Sequence, residues 1–126
     1  WSQAAYVDQV GDGNTSSIDQ GTALNGSDQY ASVAQNGDDG MSTITQRGQD
    51  QRAELTQGGL SNESFIDQSG SDHLAEVTQD GADNYSSVIQ SGSGSSASGP
   101  VGRKRCQAVA AWGRSSCTVA TMARWP

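Results

Sequence analysis

Glutamine returns along this chain at a fixed interval of eleven residues, at Gln35, Gln46, Gln57, Gln68, Gln79 and Gln90, and Gln9 and Gln20 keep that interval ahead of a four-residue insertion around Asn25. A short, regular period marks a repeat architecture, in which a unit cannot bury its own face and stacks on its neighbours instead. The positions around the glutamine are equally specified. Two residues before it stands an aliphatic side chain: Val7, Ile18, Val33, Ile44, Leu55, Ile66, Val77 or Val88. Four before it stands a small one, alternating as Ala5, Ser16, Ala31, Ser42, Ala53, Ser64, Ala75 and Ser86, so the full period is twenty-two. Six before it the slot is rich in amides, holding Gln3, Asn14, Gln29, Gln51, Asn62 and Asn84, with Gly40 and His73 as substitutes. Two after it comes glycine, at Gly11, Gly37, Gly48, Gly59, Gly70, Gly81 and Gly92, while the second unit has Thr22 there.

Alternation over seven residues predicts a β-strand, because successive side chains point to opposite faces. The other four residues of the unit predict a turn, and glycine at a fixed place suits a backbone that reverses through positive φ, where a Cβ clashes. An eleven-residue period also fits a right-handed coiled coil, but a glycine in nearly every unit and so few apolar positions oppose a helix. With 33% hydrophobic residues, 16 glycines and one phenylalanine in 126 residues, there is no material for a thick globular core. Thin layers, buried again and again, are the alternative.

Two successive strands folded as an arch bring unlike slots face to face. The amide slot meets the glutamine slot, and the Ala/Ser slot meets the Val/Ile/Leu slot, so small packs against large across sheets about 10 Å apart. Stacking one 22-residue arch on the next lays Val on Val and Gln on Gln at about 4.8 Å, where side-chain amides bond to their copies as ladders. The expected fold is therefore all-β: a β-solenoid of stacked β-arches with two strands per coil and two facing parallel sheets. Four coils are expected, from strands at 3–9 with 14–20, 29–35 with 40–46, 51–57 with 62–68 and 73–79 with 84–90. The end coils leave ladder groups facing water, so docking of another copy should extend the sheets into a cross-β amyloid fibre. Outward positions are mostly polar, with Tyr6, Tyr30, Phe65, Leu74 and Tyr85 as exceptions that read either as isolated surface apolars or as sites of lateral fibre bundling.

Charge divides the chain. All 14 acidic residues lie between Asp8 and Asp83, whereas five of the seven basic ones lie between Arg103 and Arg124. A nucleic-acid surface is not expected on so acidic a body, which instead keeps a sticky monomer soluble. No apolar run approaches the roughly 20 residues of a membrane-spanning helix, so no membrane insertion is expected. Opening on Trp1 rather than methionine is read as a processed secretory product. Residues 1–92 form the repeat region, 93–102 a Gly/Ser/Pro linker, and 103–126 a basic tail. In the tail, Cys106 and Cys117 stand eleven apart, which leaves open degenerate further strands, a cap closed by a disulfide, or coincidence. Arg103-Lys104-Arg105 reads either as a dock for an acidic surface or anionic polymer or as a solvated charge run.

Catalysis and cofactors are not expected: His73 sits in an amide slot of the repeat, with no Ser/His/Asp or Cys/His constellation beside it. Gly11-Asp12-Gly13-Asn14 and Gly37-Asp38-Asp39-Gly40 resemble the turns of calcium β-rolls, but those repeat every nine residues with an aspartate in each turn. An ice-binding solenoid needs a flat array of outward threonines, and Thr43 with Thr45 forms a single pair.

The run Gln9-x-Gly11-x-x-Asn14-x-Ser16-x-Ile18-x-Gln20 resembles the curlin repeat of bacterial curli subunits, as do Gln57 to Gln68 and Gln79 to Gln90. Tyr6-Val7-Asp8-Gln9 and the clean pattern in both half-repeats look closer to the minor, nucleating curlin than to the major one. The likeness spans residues 3 to about 92; the insertion at 21–28 and the tail depart from it. It implies a secreted amyloid subunit of the extracellular biofilm matrix, exported through a dedicated pore, assembled at the cell surface with copies of itself, other curlin subunits and a curli-type secretion and nucleation machinery, and serving adhesion.

Overall fold

Period-two alternation needs one dry face and one wet face, and the chain supplies them by winding into a two-sided coil. The computed structural model describes residues 2–21, 28–94, 96–100, 104–110 and 116–118. Its elements are β1 (Ser2–Val10), β2 (Thr15–Gln20), β3 (Asp28–Asp38), β4 (Met41–Gln49), β5 (Gln51–Leu60), β6 (Glu63–Ser71), β7 (Leu74–Ala82), β8 (Tyr85–Ser93), β9 (Ser96–Pro100), β10 (Lys104–Ala110) and β11 (Ser116–Thr118). Odd-numbered strands form one sheet, in the order β1-β3-β5-β7-β9-β11, and even-numbered strands form the other, β2-β4-β6-β8-β10. Every pairing is parallel. This is the expected β-solenoid, with the repeat making four coils: β1 with β2, β3 with β4, β5 with β6, and β7 with β8.

Register follows the repeat residue by residue. On β3 and β5, Ala31 pairs with Ala53, Val33 with Leu55, Gln35 with Gln57 and Gly37 with Gly59. Between β1 and β3 the slots still match, Val7 on Val33 and Gln9 on Gln35, so the insertion is absorbed outside the strands. Its residues 22–27 lie outside the described residues. A slip of one residue would turn the whole aliphatic row into water, so the alternation pins the register. One core runs the length of the stack, built from Ala31, Val33, Ile44, Ala53, Leu55, Ile66, Ala75, Val77, Val88 and Ala97, with Ile18 packed on it.

The turns are tighter than expected. From β3 to β8 the strands run through the glycines, which stay paired (Gly48 on Gly70, Gly59 on Gly81), and among the described residues the left-handed reversal falls on the fourth residue after the glutamine. Asp39, Asp50, Ser61, Asp72 and Asp83 occupy φ between +49° and +57°. Gly13 and Gly94 hold the same place at +70°. Aspartate tolerates this region because its short polar side chain bonds locally. Glycine is required two residues earlier for a different reason: a Cβ on Gly37, at φ +151°, would run into the carbonyl oxygen of Gly59 in the next coil.

Two further expectations are corrected. Residues 96–100, within the linker expected at 93–102, form β9, paired with β7. Ala97 sits on Ala75, so the small slot of the repeat persists there although Gly99 replaces the aliphatic residue that Val77 supplies in the coil before. Val7, read as core, is 50% exposed, because β1 is an edge strand with a coil on one side only.

Candidate functional site

The chemistry of this molecule is concentrated on the surfaces where one coil meets the next. From Gln35 to Gln90 the glutamines of the beat are buried, and a buried carboxamide must find partners for its oxygen and both N–H groups or incur the cost of desolvation. The stack provides them. Along the odd sheet, Gln9 Nε2 donates to Gln35 Oε1 at 2.6 Å, Gln35 to Gln57 at 2.8 Å and Gln57 to Gln79 at 2.7 Å. Along the even sheet, Gln20 donates to Gln46 at 3.0 Å, Gln46 to Gln68 at 2.9 Å and Gln68 to Gln90 at 2.8 Å. From Gln20 onward the second N–H of the amide crosses to the facing strand, as from Gln46 to the Tyr30 carbonyl at 2.9 Å and from Gln79 to the Glu63 carbonyl at 2.9 Å. The ladder therefore ties coil to coil and sheet to sheet with one functional group.

The amide slot at the start of each strand secures the turn. Asn62 Nδ2 donates to the Gly58 carbonyl at 2.6 Å and to the Gly81 carbonyl at 3.1 Å. Its Oδ1 accepts from the Asn84 backbone N–H at 3.0 Å. Gln51 reaches Arg47 and Gly70 carbonyls in the same way. The substitute His73 is buried and places Nε2 2.9 Å from the Ser69 carbonyl, the place an amide donor takes in neighbouring units. Backbone bonds between coils continue through the reversal itself, from Asp39 N–H to the Asp12 carbonyl and from Ser61 N–H to the Asp38 carbonyl, both 2.9 Å. Among the described residues, the buried oxygens Ser42 Oγ and Gln51 Oε1 have no hydrogen-bond partner.

The structure brings the sequence-selected residues together unevenly. Gln35, Gln46, Gln57, Gln68, Gln79 and Gln90 are buried with Val33, Ile44, Leu55, Ile66, Val77 and Val88. Gln9 is exposed, Gln20 and Ile18 are half-buried, and Val7 is open, all four on the first coil. Gly11, Gly37, Gly48, Gly59, Gly70, Gly81 and Gly92 all take positive φ. The side chains of Cys106 and Cys117, and with them the disulfide left open by the sequence, lie outside the described residues, as do those of Arg103, Lys104 and Arg105. The period alone does not mark the left-handed aspartates; the signal in the sequence is the recurrence of Asp, Ser or Gly four residues after every glutamine of the beat except Gln20, which has Leu24 there.

Outside, the aromatic exceptions are not isolated. Tyr6 and Tyr30 stand 5.8 Å apart between ring centroids, Phe65 and Tyr85 6.2 Å, and the Arg52 guanidinium lies 5.1 Å over the Tyr30 ring. Arg52 also pairs with Glu54, which holds its guanidinium pKa above the ordinary value through the hydrogen bond and then the charge. The Thr43 and Thr45 pair has Phe65 and Asp67 beside it in register, so the threonines do not extend into a flat array.

A family model for the curlin associated repeat matches residues 48–81 and 74–98. The matched stretch covers the third and fourth coils and most of β9, so this part of the chain is similar to curlin associated repeats. No curated protein and no solved structure matches the chain. Among the described residues no helix is long and apolar enough to cross a membrane.

Proposed function

We propose that the chain is a structural subunit of an extracellular functional amyloid of the curli type, a fibre of the bacterial biofilm matrix that grows by stacking coils end to end and serves adhesion and aggregation. The observation that carries this reading is the first coil. Ala5, Val7 and Gln9 on β1 occupy the same slots that β3 fills against β5, yet they face solvent. An interface used between successive coils inside the molecule is thus presented unused at its surface. Parallel strands with unpaired edges take up further strands.

In this role the glutamines, aliphatics and glycines of the repeat act as the stacking contacts, and the partners are copies of the chain and other curlin subunits, delivered outside the cell by a curli-type secretion and nucleation machinery. A part in starting fibres rests on the resemblance of Tyr6-Val7-Asp8-Gln9 and of both half-repeats to the minor curlin. No cofactor or catalytic residue has a place in the mechanism, since the work is burial and hydrogen bonding.

The test is assembly of the full chain without calcium, alone and as a trace added to a large excess of a major curlin. The reading expects thioflavin-positive fibres with an inter-strand reflection near 4.8 Å and, for a nucleating part, a collapsed lag in the mixture. Aggregates lacking that reflection in both conditions would overturn it.

A further inference from the structure

The two ends of the solenoid are built differently. At the first coil every inward slot belongs to the repeat, with Ala5, Val7 and Gln9 on β1 and Ser16, Ile18 and Gln20 on β2. Beyond the fourth coil the strands continue, but of the repeat's inward slots only the small one persists, at Ala97 on β9. β10 lies on β8 with Lys104 opposite Ser86, Cys106 opposite Val88 and Ala108 opposite Gln90. Gln107, the one glutamine of β10, falls opposite Ile89, one residue away from the ladder. On the other sheet Gly99 lies opposite Val77. The backbone sheets run on past the point where the glutamine ladder and the aliphatic row end.

At the open end the ladder has polarity. Inside, Gln35 accepts from Gln9 and donates to Gln57, and Gln46 accepts from Gln20 and donates to Gln68. Gln9 and Gln20 donate inward, while among the described residues no donor reaches the Oε1 of either. What satisfies both oxygens is a coil carrying a carboxamide N–H in each glutamine slot at the register already used between β1 and β3 and between β2 and β4. The trailing end of a second copy offers Ala108 at the slot above Gln90, and alanine has no such donor.

On the reading that the chain stacks end to end, we infer that it does so with one live end. The first coil receives the trailing coil of another chain of this repeat that ends on glutamine-bearing strands, and β9, β10 and β11 form a stop at the opposite end. A junction between two copies of this chain forgoes the glutamine ladder and places a lysine position in the small slot. Copies of this chain stack on one another only through that weaker junction; in a fibre of subunits whose last coil carries the glutamines this subunit belongs at one terminus, and growth from it runs in one direction.

The test uses the full-length variant K104S/C106V/A108Q, which rebuilds on β10 the slots of β8. Its critical concentration for fibre formation should fall by at least about tenfold relative to the unmodified chain, the equivalent of about 1.4 kcal/mol per junction. Labelled unmodified chain, added in trace to growing fibres of the variant, should sit at one terminus of each fibre and not along the shaft. Adding Q9A/Q20A to the labelled chain should abolish that attachment. If circular dichroism finds the triple variant unfolded, A108Q alone should shift the critical concentration the same way. Equal critical concentrations, or label spread along the shaft, would overturn the inference. Absence of fibres with the reflection near 4.8 Å from both proteins would instead bring down the stacking reading, and this inference with it.

Discussion

The first coil and the coils inside it are written in the same template, yet they behave as different materials. Val33 is 1% exposed and Val7 50%, although each stands two residues before its glutamine and opposite the other in register. Gln35 is buried between two glutamines, and Gln9 is exposed and touches one. Identical residues are core or surface according to whether a coil lies on both sides. The repeat thus encodes an interface more than a monomeric core, and stability should be gained coil by coil, as in other arrays whose units contact only their neighbours.

That contrast is open to attack by substitution at matched slots, read as urea unfolding of the monomer. The largest difference is expected in the aliphatic row: Leu55→Ala should cost about 2–5 kcal/mol, whereas Val7→Ala, on the open coil, should cost a small fraction of that. Gly59→Ala comes next, at about 1–3 kcal/mol, because the added Cβ meets the Gly81 carbonyl at φ +96°. Gly94→Ala, with nothing within 4 Å of the new Cβ, meets only the backbone cost of positive φ. In the ladder, Gln46→Ala leaves partners in β2, β3 and β6 unsatisfied and should cost about 1–3 kcal/mol, while Gln20→Ala should cost clearly less. If inner and outer members of any pair lost equal stability, the distinction between the coils would fail.

The smallest effect sharpens the comparison within one row. Ser64 and Ser86 share a hydrogen bond of 2.8 Å, but Ser42 Oγ is buried without a partner. Ser42→Ala should therefore be neutral or slightly stabilising and Ser64→Ala destabilising by about 1 kcal/mol. Equal losses would show that Ser42 has a partner in solution.

Much of this architecture was legible because the repeat states it many times over. The slot of Val33 is written again at Leu55 and Val77, and the slot of Gln35 at Gln57 and Gln79, so strand, facing and register follow from spacing. Less legible were features that spacing alone does not price. The reversal at Asp39 and Asp50 depends on tolerance of left-handed backbone, which is a property of the side chain and not of the period. β9 escaped because Ser96, Ser98 and Gly99 read as linker, and only Ala97 keeps a repeat slot. There the template offered by β7 outweighs the weak propensity of the segment. The exposure of Val7 could not come from its own sequence, since it depends on what stacks above.

The account rests on residues 22 apart being neighbours in one sheet and residues 11 apart lying on opposite sheets. Spin labels placed at Glu54 and Glu76, which pair on β5 and β7, in a background with Cys106 and Cys117 replaced by serine, test this most directly. The fold predicts a spectrum narrowed by spin exchange at about 5 Å, and no exchange for labels at Glu54 and Phe65, on opposite outer faces. Exchange in the second pair and none in the first would contradict it.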